Sequence, residues 1–491
     1  MLDDKNLLKS VEKLNSIKHD DTKKVAFSPY IYKALILIFV FVSVYLIYAF
    51  APEYENKTLS KDKLAYLGLG IYILAMMTLF VMFLKKFWNT YLSDMRTLML
   101  LGSLVVFTIL MNEVMFSLSP FFFFLPAFAM LIKIFTNSKV SLVLTIILAL
   151  SSYTFNNTDS IIFTVDLCAG VISIFSLAKF QQRMDIARSG VLISIVNVIM
   201  IGALDLIRTN KIFPYILSEM LWGFGSGIFC AIVAIGSLSY LETLFGVVTN
   251  FKLADLGNPS HPLLKNLMLK APGTYQHCIV VGNLAEAAAE AVNADPLLTK
   301  IGAMYHDIGK MIRPYFFIEN QLNENQHSKI SPRLSALVII GHVKEGMELA
   351  KEHKIPSVVA DFIPMHHGTT LVSYFYHQAR QMEENPDDVL ESDFRYPGPK
   401  PQTKETAILM LADAIEAAVR SISKPTVEQI QKTINKIIKG RLDDGQLAES
   451  PLTLVDLEKI SSAFLRILQS LYHSRIEYPS EEKIMKSFRK E

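Results

Sequence analysis

The segment YHDIGK at residues 305–310 sets a histidine and an aspartate side by side within a helical pattern. Further histidines and an aspartate recur on both sides of this pair, and eight of the chain's eleven histidines fall between residues 277 and 377. A lone histidine is usually an ordinary core or surface residue, but paired and clustered histidines need another explanation. The candidate metal ligands in this cluster are His277, His306, Asp307, His342, His366, His367 and Asp413.

The residue types in the cluster favour a centre with two metal ions. Neutral imidazoles and carboxylates suit first-row metals such as Fe, Mn and Zn, and a carboxylate can bridge two ions. Adjacent side chains on a helix project about 100° apart, so His306 and Asp307 fit two ions better than one, with Asp307 as the bridge. Two ions ~3.5 to 4 Å apart can activate a hydroxide and polarise a phosphoryl oxygen. The predicted reaction is therefore phosphoester hydrolysis.

The sequence around the cluster predicts an all-α domain. Strand-like alternation is scarce, and amphipathic stretches that often begin at a proline recur instead. A proline-rich stretch at 381–402 is predicted to be a loop, and helix breakers at 255–262 and 271–273 indicate a linker. Helices are predicted at 283–292, 296–310, 332–353, 356–367, 403–421, 426–439 and 453–474.

Long apolar runs dominate the first half of the chain, which is 51% hydrophobic as a whole. Most of these runs approach the ~20 residues that cross a ~30 Å hydrocarbon core. Pro120 and Pro126 interrupt the short run at 119–135, so a re-entrant or tightly coupled pair with the next run is an alternative there. The eight candidate spans are 31–51, 63–84, 97–115, 119–135, 139–155, 160–179, 189–207 and 213–240.

Basic residues predict the orientation, because short loops rich in Lys and Arg stay preferentially in the cytoplasm. Such residues concentrate before the first span and in alternate loops, for example at Lys85 and Lys86. Eight spans with both ends cytoplasmic fit this bias. We therefore expect a multi-pass protein of the cell membrane with a cytoplasmic catalytic domain. The predicted parts are a cytoplasmic amino-terminal segment (1–30), a transmembrane domain of about eight spans (31–240), a linker (241–272), a phosphohydrolase domain (273–480) and a carboxy-terminal tail (481–491).

Charge and cysteine usage exclude several classes of partner and site. The net charge is +2, from 48 basic and 46 acidic side chains, and no basic block is long enough to follow a nucleic-acid backbone. Polymeric nucleic acid is therefore not an expected partner. The three cysteines have no disulfide or four-thiolate zinc spacing, so the catalytic half suits a reducing cytosol. Asp166 is the deepest of the carboxylates in the predicted spans, either as a functional group or as a satisfied helix contact.

Six segments carry a resemblance to a known family. The chain resembles membrane-anchored HD-domain phosphodiesterases of the PgpH type, which fuse a multi-span membrane region to a cytoplasmic HD domain that hydrolyses cyclic di-AMP. The resemblance is strong over about residues 240 to 425 and architectural in the membrane half. Its segments are GTYQHC (273–278), YHDIGK (305–310), LVIIGHVKEG (337–346), HHGTTLVSYFYHQA (366–379), FRYPGPKPQTKE (394–405) and MLADAIEAAVRS (410–421).

The resemblance implies a division of the ligands between two ions. One ion would be held by His277, His306, Asp307 and Asp413, and the other by Asp307, His342, His366 and His367. It also implies iron or manganese as the metals, a cyclic dinucleotide as the substrate and linear pApA as the product. The lipid bilayer is the second expected partner, and a homodimer is compatible with the pattern.

Candidate substrate contacts surround the ligands. Lys310, one turn after the His-Asp pair, can neutralise a phosphate oxygen, and Arg313 lies close behind it; a solvated helix-end charge is the alternative for both. Tyr374, Phe375 and Tyr376 can stack on adenine or pack in the core. His327, His353 and His377 match no ligand position and are expected to be ordinary histidines.

Two departures from related patterns narrow the prediction. Only residues 51–63 lie between the first span and the next, where many relatives carry a large extracytoplasmic domain, so that type of external sensor is absent. The Gly-Tyr-Pro signature of cyclic di-GMP hydrolases is missing, because Gly368 is followed by Thr369. A membrane receptor that binds a nucleotide without cleaving it is an alternative function, which the loss of a metal ligand would favour. A transporter is a further alternative, but the spans of this chain lack the pattern of charged residues expected along a substrate path.

Overall fold

The computed structural model describes residues 29–50, 63–155, 159–177, 182–209, 216–321 and 325–472. The chain divides into a first unit, Met1–Val247, and a second unit, Val248–Glu491. The predicted amino-terminal segment, the short loop after the first span and the predicted carboxy-terminal tail fall almost wholly outside the described residues.

The first unit consists of apolar helices. Each of the eight predicted spans overlaps one long or short apolar helix, and the short α3 connects two of them. The helices are α1 (Pro29–Ala49), α2 (Lys63–Phe87), α3 (Asn89–Ser93), α4 (Met95–Leu118), α5 (Leu125–Phe135), α6 (Ser138–Phe155), α7 (Ser160–Ser176), α8 (Arg183–Thr209) and α9 (Ile216–Phe245).

Six of the described helices are long and apolar enough to cross a membrane, by length and composition, and α5 and α7 are shorter. The eleven residues of α5 span roughly 16 Å at 1.5 Å per residue, about half of a hydrocarbon core. All of them except Lys133 are buried among neighbouring helices. The run predicted at 119–135 is thus a short, protein-enclosed helix preceded by non-helical backbone.

Small residues allow α8 and α9 to pack closely. A Cβ added at Gly227 would collide with the Gly190 carbonyl oxygen and the Ser194 hydroxyl of α8. That hydroxyl donates a 2.6 Å hydrogen bond to the Phe224 carbonyl oxygen of α9. Close backbone approach at small residues is the usual way in which membrane helices associate, because burial of apolar surface gives no driving force in lipid.

The second unit is also helical. Several one-turn 3-10 segments connect its helices, including Ile308–Ile312 and Ile318–Asn320. The helices are α10 (Asn250–Leu256), α11 (Pro262–Lys270), α12 (Pro272–Ala291), α13 (Pro296–Tyr305), α14 (Pro332–Glu352), α15 (Ser357–Ala360), α16 (Phe362–Met365), α17 (Ser373–Met382), α18 (Lys404–Arg420), α19 (Val427–Asp443) and α20 (Leu454–Tyr472).

Helix α18 is the centre of the second unit's larger core. Its residues from Ala407 to Ala412 are fully buried, so this helix is enclosed on all sides rather than along one stripe. The helices α12 and α19 pack against it, and α20 packs in turn against α12 and α19. A capping box at Thr403 fixes where α18 begins, since Thr403 and Thr406 exchange side-chain to backbone hydrogen bonds. The buried helix then carries Asp413 into the interior.

The stretch 241–272, predicted to be a linker, is mostly helical. It contains the end of α9 and the helices α10 and α11, and buried leucines of α10 and α11 pack with Ile301 and Tyr305 of α13 in a second core cluster. Gly257, Pro259 and Pro262 separate the short helices of this stretch, and the helices themselves pack in the core. The Tyr305 hydroxyl also donates a 2.8 Å hydrogen bond to the Leu256 carbonyl oxygen.

The all-α prediction is confirmed for the described residues. The one β-type pairing among them is an isolated antiparallel bridge between Leu371 and Arg395. The largest difference in helix bounds is at α12, which begins at Pro272 rather than at the predicted 283. His277 therefore lies on a helix and not in a connection. This difference matters for the site, because a helix fixes the direction of the imidazole.

Candidate metal centre

Five segments of the second unit bring the seven predicted ligands together. His277 lies on α12, His306 and Asp307 follow α13, His342 lies on α14, His366 and His367 follow α16, and Asp413 lies on α18. All seven are buried except His367, whose side chain is 20% exposed. They form two groups that could hold metal ions, one of His277, His306, Asp307 and Asp413 and one of His342, His366 and His367.

The Oδ2 atom of Asp307 faces the first group. It lies 3.1 Å from His306 Nε2 and 3.7 Å from His277 Nε2. Asp413 Oδ1 completes this group, 2.9 Å from His277 Nε2 and 3.7 Å from His306 Nε2. The four candidate ligand atoms thus all lie within 4.8 Å of one another, close enough to hold one ion.

The Oδ1 atom of Asp307 faces the second group. It lies 3.4 Å from His342 Nε2 and 3.6 Å from His366 Nε2, which are 3.3 Å from each other. His367 completes the second group, and its Nδ1 atom lies 4.0 Å from Asp413 Oδ2 of the first. One carboxylate therefore faces both groups, which is the geometry of a bridging ligand.

In three of the buried imidazoles, the Nδ1 atom already takes part in a hydrogen bond. Nδ1 of His306, His342 and His366 lies 2.6 to 2.7 Å from a backbone carbonyl oxygen, which can only accept a hydrogen bond. Nδ1–H must then be the donor, and each Nε2 lone pair is directed at the centre. Among the described residues, no hydrogen bond of good geometry reaches His306 Nε2 or either Asp307 oxygen. Such a donor set fits divalent transition metal ions.

His277 is oriented by a side chain instead. Its Nδ1 atom lies 2.6 Å from Glu416 Oε2, and the Arg420 guanidinium lies 3.6 Å from the other carboxylate oxygen of Glu416. Glu416 is not among the site residues predicted from the sequence. Its spacing held a usable signal, because Glu416 follows Asp413 by three residues and so shares its helix face.

Electrostatics set the charge of the donor groups. Burial and the nearby His306 lower the pKa of His366 to about 3, so this imidazole is neutral at physiological pH. The neighbouring histidines hold the pKa of Asp413 well below its usual value despite burial. Although burial acts against it, hydrogen bonds to Asp413 and Glu416 raise the pKa of His277 to about 9. The site thus combines charged carboxylates with imidazoles whose protonation depends on their neighbours.

Lys310 lies at the edge of the first group. Its ammonium is 2.7 Å from Asp307 Oδ2 and 3.1 Å from Glu319 Oε1. Burial opposes the charge, but these two carboxylates raise the pKa of Lys310 well above its usual value. Glu319 in turn accepts a 3.1 Å hydrogen bond from the Thr274 hydroxyl of α12. Lys310 is therefore a fixed cation next to the ligands.

A cleft of about 500 Å³ opens beside the ligands. Lys310, His342 and His367 line it together with aromatic rings, including Tyr374, which is 70% exposed. Tyr396, another residue that sequence reasoning missed, also lines the cleft and stacks on His367 with ring centres 4.2 Å apart. The cleft thus combines one fixed cation, two ligand histidines and several aromatic faces.

Two predicted substrate contacts lie elsewhere. Arg313 pairs with Glu345 at 2.9 Å, and it is not among the described residues that line the cleft. Tyr376 packs against Phe394, with ring centres 5.7 Å apart, in a small core cluster. His327, predicted to be ordinary, does line the cleft, where its Nε2 atom lies 2.8 Å from the Phe316 carbonyl oxygen.

Comparison with known proteins finds a matching family model for each unit. Residues 63–249 match the model of 7TM receptors with an intracellular HD hydrolase, and residues 274–418 match the HD domain. The chain belongs to the 7TM-HD family. The predicted resemblance is thereby confirmed, and the HD match covers all seven candidate ligands.

Two curated relatives of this 7TM-HD protein are named cyclic-di-AMP phosphodiesterase PgpH. The protein of Listeria monocytogenes is 38% identical over 428 residues, which are 85% of this chain and 59% of the relative. The protein of Bacillus subtilis is 40% identical over 370 residues, which are 74% of this chain and 52% of the relative. The chain thus spans about half the length of these relatives.

A crystal structure of the Listeria monocytogenes PgpH HD domain in complex with cyclic di-AMP is also similar to the 7TM-HD chain. The sequence identity is 46%, and the match covers 44% of this chain and 100% of that chain, with a TM-score of 0.42.

Proposed function

We propose that this 7TM-HD protein is a membrane-bound, metal-dependent phosphodiesterase that hydrolyses cyclic di-AMP to pApA. The single observation that carries the reaction class is Asp307, one carboxylate whose two oxygens face two separate groups of ligand atoms. The proposed substrate rests on the two curated relatives, each named as a cyclic-di-AMP phosphodiesterase and at least 38% identical to this chain.

The proposed ligand sets follow the two groups. His277, His306, Asp307 and Asp413 would hold one ion, and Asp307, His342, His366 and His367 the other. Two ions held in this way would activate the attacking water and polarise the phosphoryl group of the substrate. Iron or manganese is the proposed metal because the family resemblance implies it, and imidazole and carboxylate donors are compatible with both ions.

The chain's own residues would bind and orient the dinucleotide. An ammonium has three N–H donors, so Lys310, which donates to Glu319 and forms an ion pair with Asp307, keeps at least one donor for a phosphate oxygen. Phe317, Tyr374 and Phe375 line the same cleft, and aromatic faces stack on any base. Lys310 would thus hold the phosphodiester against the ligands while the cleft wall holds the bases.

The proposed setting is the inner face of the cell membrane, with the second unit in the cytoplasm. It rests on the six long apolar helices of the first unit and on the basic residues in alternate loops. The homodimer stays a prediction, which mass photometry of the detergent-solubilised chain would test.

The decisive experiment uses the full chain, purified anaerobically in detergent and loaded with Fe²⁺ or Mn²⁺. It is incubated separately with cyclic di-AMP, cyclic di-GMP and pApA, and products are separated by chromatography. We expect consumption of cyclic di-AMP and accumulation of pApA. Preferential cleavage of cyclic di-GMP would overturn the substrate, and survival of every cyclic dinucleotide with metal bound would overturn the activity.

The Asp307→Ala variant tests the bridging role. Because each Asp307 oxygen faces one group, we expect loss of activity together with most of the bound metal, measured by elemental analysis after desalting. Asp388→Ala, which removes an exposed carboxylate far from the ligands in sequence, is the matched control and should keep both. Full occupancy of both sites in Asp307→Ala would rule out the bridge.

A further inference from the structure

A buried carboxylate in the first unit has no role in the proposed phosphodiesterase. Asp166, on α7, is only 7% exposed, although α7 is an apolar helix of the membrane-spanning unit. Among the described residues, no hydrogen bond reaches its Oδ1 atom. An unpaired ionised carboxylate at such a position is costly, so intramembrane acids normally have a partner or a function.

Asp166 lines a small cavity next to the non-helical backbone between α4 and α5. The cavity has room of about 20 Å³ and is lined by Asn112 and Ser152 besides aromatic residues such as Phe122 and Phe123. That room suffices for one water-sized particle, since a single water needs ~10 to 15 Å³. An organic ligand does not fit.

The non-helical segment that forms one wall is held by specific polar contacts. Asn112 Oδ1 accepts a 3.1 Å hydrogen bond from the Phe124 backbone N–H. The Ser226 hydroxyl and the Cys230 thiol of α9 donate to the Phe123 carbonyl oxygen at 2.9 and 3.3 Å. Irregular backbone in membrane-spanning regions is tolerated where it is enclosed by protein or lines a cavity, and broken helices often border ion sites.

We propose that this cavity binds one small monovalent cation of about the size of sodium, with the Asp166 carboxylate as its charged ligand. The described lining has one acidic side chain and no basic one, which balances a single positive charge and not two. The amide oxygen of Asn112 and the hydroxyl of Ser152 supply neutral oxygen ligands, which suit hard cations. A proton on Asp166 is the competing occupant, since it also removes the charge.

Direct binding distinguishes the two occupants. The full chain, purified in detergent with choline as the only other cation, is titrated with radioactive ²²Na⁺ at fixed pH and ionic strength. We expect one saturable sodium ion per chain, absent in Asp166→Asn, which imitates the protonated acid. Glu219→Gln, which removes an acid outside the described cavity lining, should bind like the wild type.

A second variant covers the case that Asp166→Asn does not fold. Ser152→Ala removes one neutral ligand and should weaken sodium binding about tenfold, the loss expected for one contact to a charged group. Absence of saturable sodium binding in the wild type would overturn the proposal in favour of the proton. Unchanged binding in a folded Asp166→Asn variant would overturn it as well.

Discussion

Three of the site histidines are oriented by their own local backbone. His306, His342 and His366 each donate Nδ1–H to the carbonyl oxygen of the residue three positions earlier, namely Ala303, Ile339 and Ile363. The bond fixes the tautomer and the ring plane before any metal arrives. His277 differs, because its Nδ1–H is held by Glu416 on another helix.

This contrast makes Glu416 the residue on which the orientation of His277 depends. Replacing it as Glu416→Gln keeps the size of the side chain but removes the charge that raises ligand basicity. We expect the affinity for the ion at the His277 group to fall about 10- to 100-fold, the usual effect of losing such a partner. Metal content at rising chelator concentration measures it, with retained helicity by circular dichroism as evidence of folding.

Arg420→Gln is the matched control for that variant. Arg420 pairs with Glu416 at 3.6 Å and not with His277, and its own side chain is 36% exposed, so the loss of metal should be much smaller. If Glu416→Gln holds both ions as tightly as the wild type, Glu416 does not position His277.

At the scale of elements, the start of α12 shows why the helix that carries the candidate ligand His277 was not predicted in full. The helix begins at Pro272, a residue favoured in the first turn, and Asn320 caps it from 47 residues away. Asn320 Oδ1 accepts hydrogen bonds from the Gly273 and Thr274 backbone N–H groups at 2.9 and 3.2 Å. A cap from a distant segment leaves no local signal, so the predicted start at 283 was wrong.

A close contact between two elements positions His342. The 3-10 segment Ile308–Ile312 lies against α14 so tightly that a Cβ added at Gly309 would collide with the His342 carbonyl oxygen and the Gly346 nitrogen. Gly309→Ala must therefore push α14 away from Asp307. We expect a loss of about 1 to 3 kcal/mol in stability, typical of overpacking, together with reduced metal content. Thermal unfolding and elemental analysis of the full chain measure the two effects.

Gly341→Ala is the control for the collision, since Gly341 neighbours His342 on the same helix. A Cβ there would approach only Arg313, at 3.9 Å, and alanine stabilises a helix by about 1 kcal/mol relative to glycine. This variant should keep its metal and unfold at the same or a higher temperature. Equal behaviour of the two glycine variants would contradict the role of the Gly309 contact.

For the whole molecule, the sequence predicted what depends on residue type and order. The seven candidate ligands lie together, although their role as ligands stays a prediction, and the apolar helices of the first unit and the all-α class were predicted correctly. Burial was not, because it depends on which segments meet: the stretch predicted as a linker lies in a core through Leu256 and Leu264, and Tyr396 of a predicted loop stacks on His367. Asp307 between the two groups was predicted from its chemistry, and the distances agree.

The two units also make a prediction about metal removal. All candidate ligands belong to the second unit and come from five separate segments, so bound ions would tie these segments together only in the folded state. Each ion present at a hundredfold excess over its dissociation constant would stabilise that unit by about 2.7 kcal/mol. Hydrogen exchange measured by mass spectrometry on the full chain, with and without chelator, should show faster exchange in α12, α14 and α18 after metal removal and unchanged exchange in α8 and α9. The Asp307→Ala variant should exchange at the chelated rate in both conditions. Equal acceleration of both units would contradict a metal centre confined to the second.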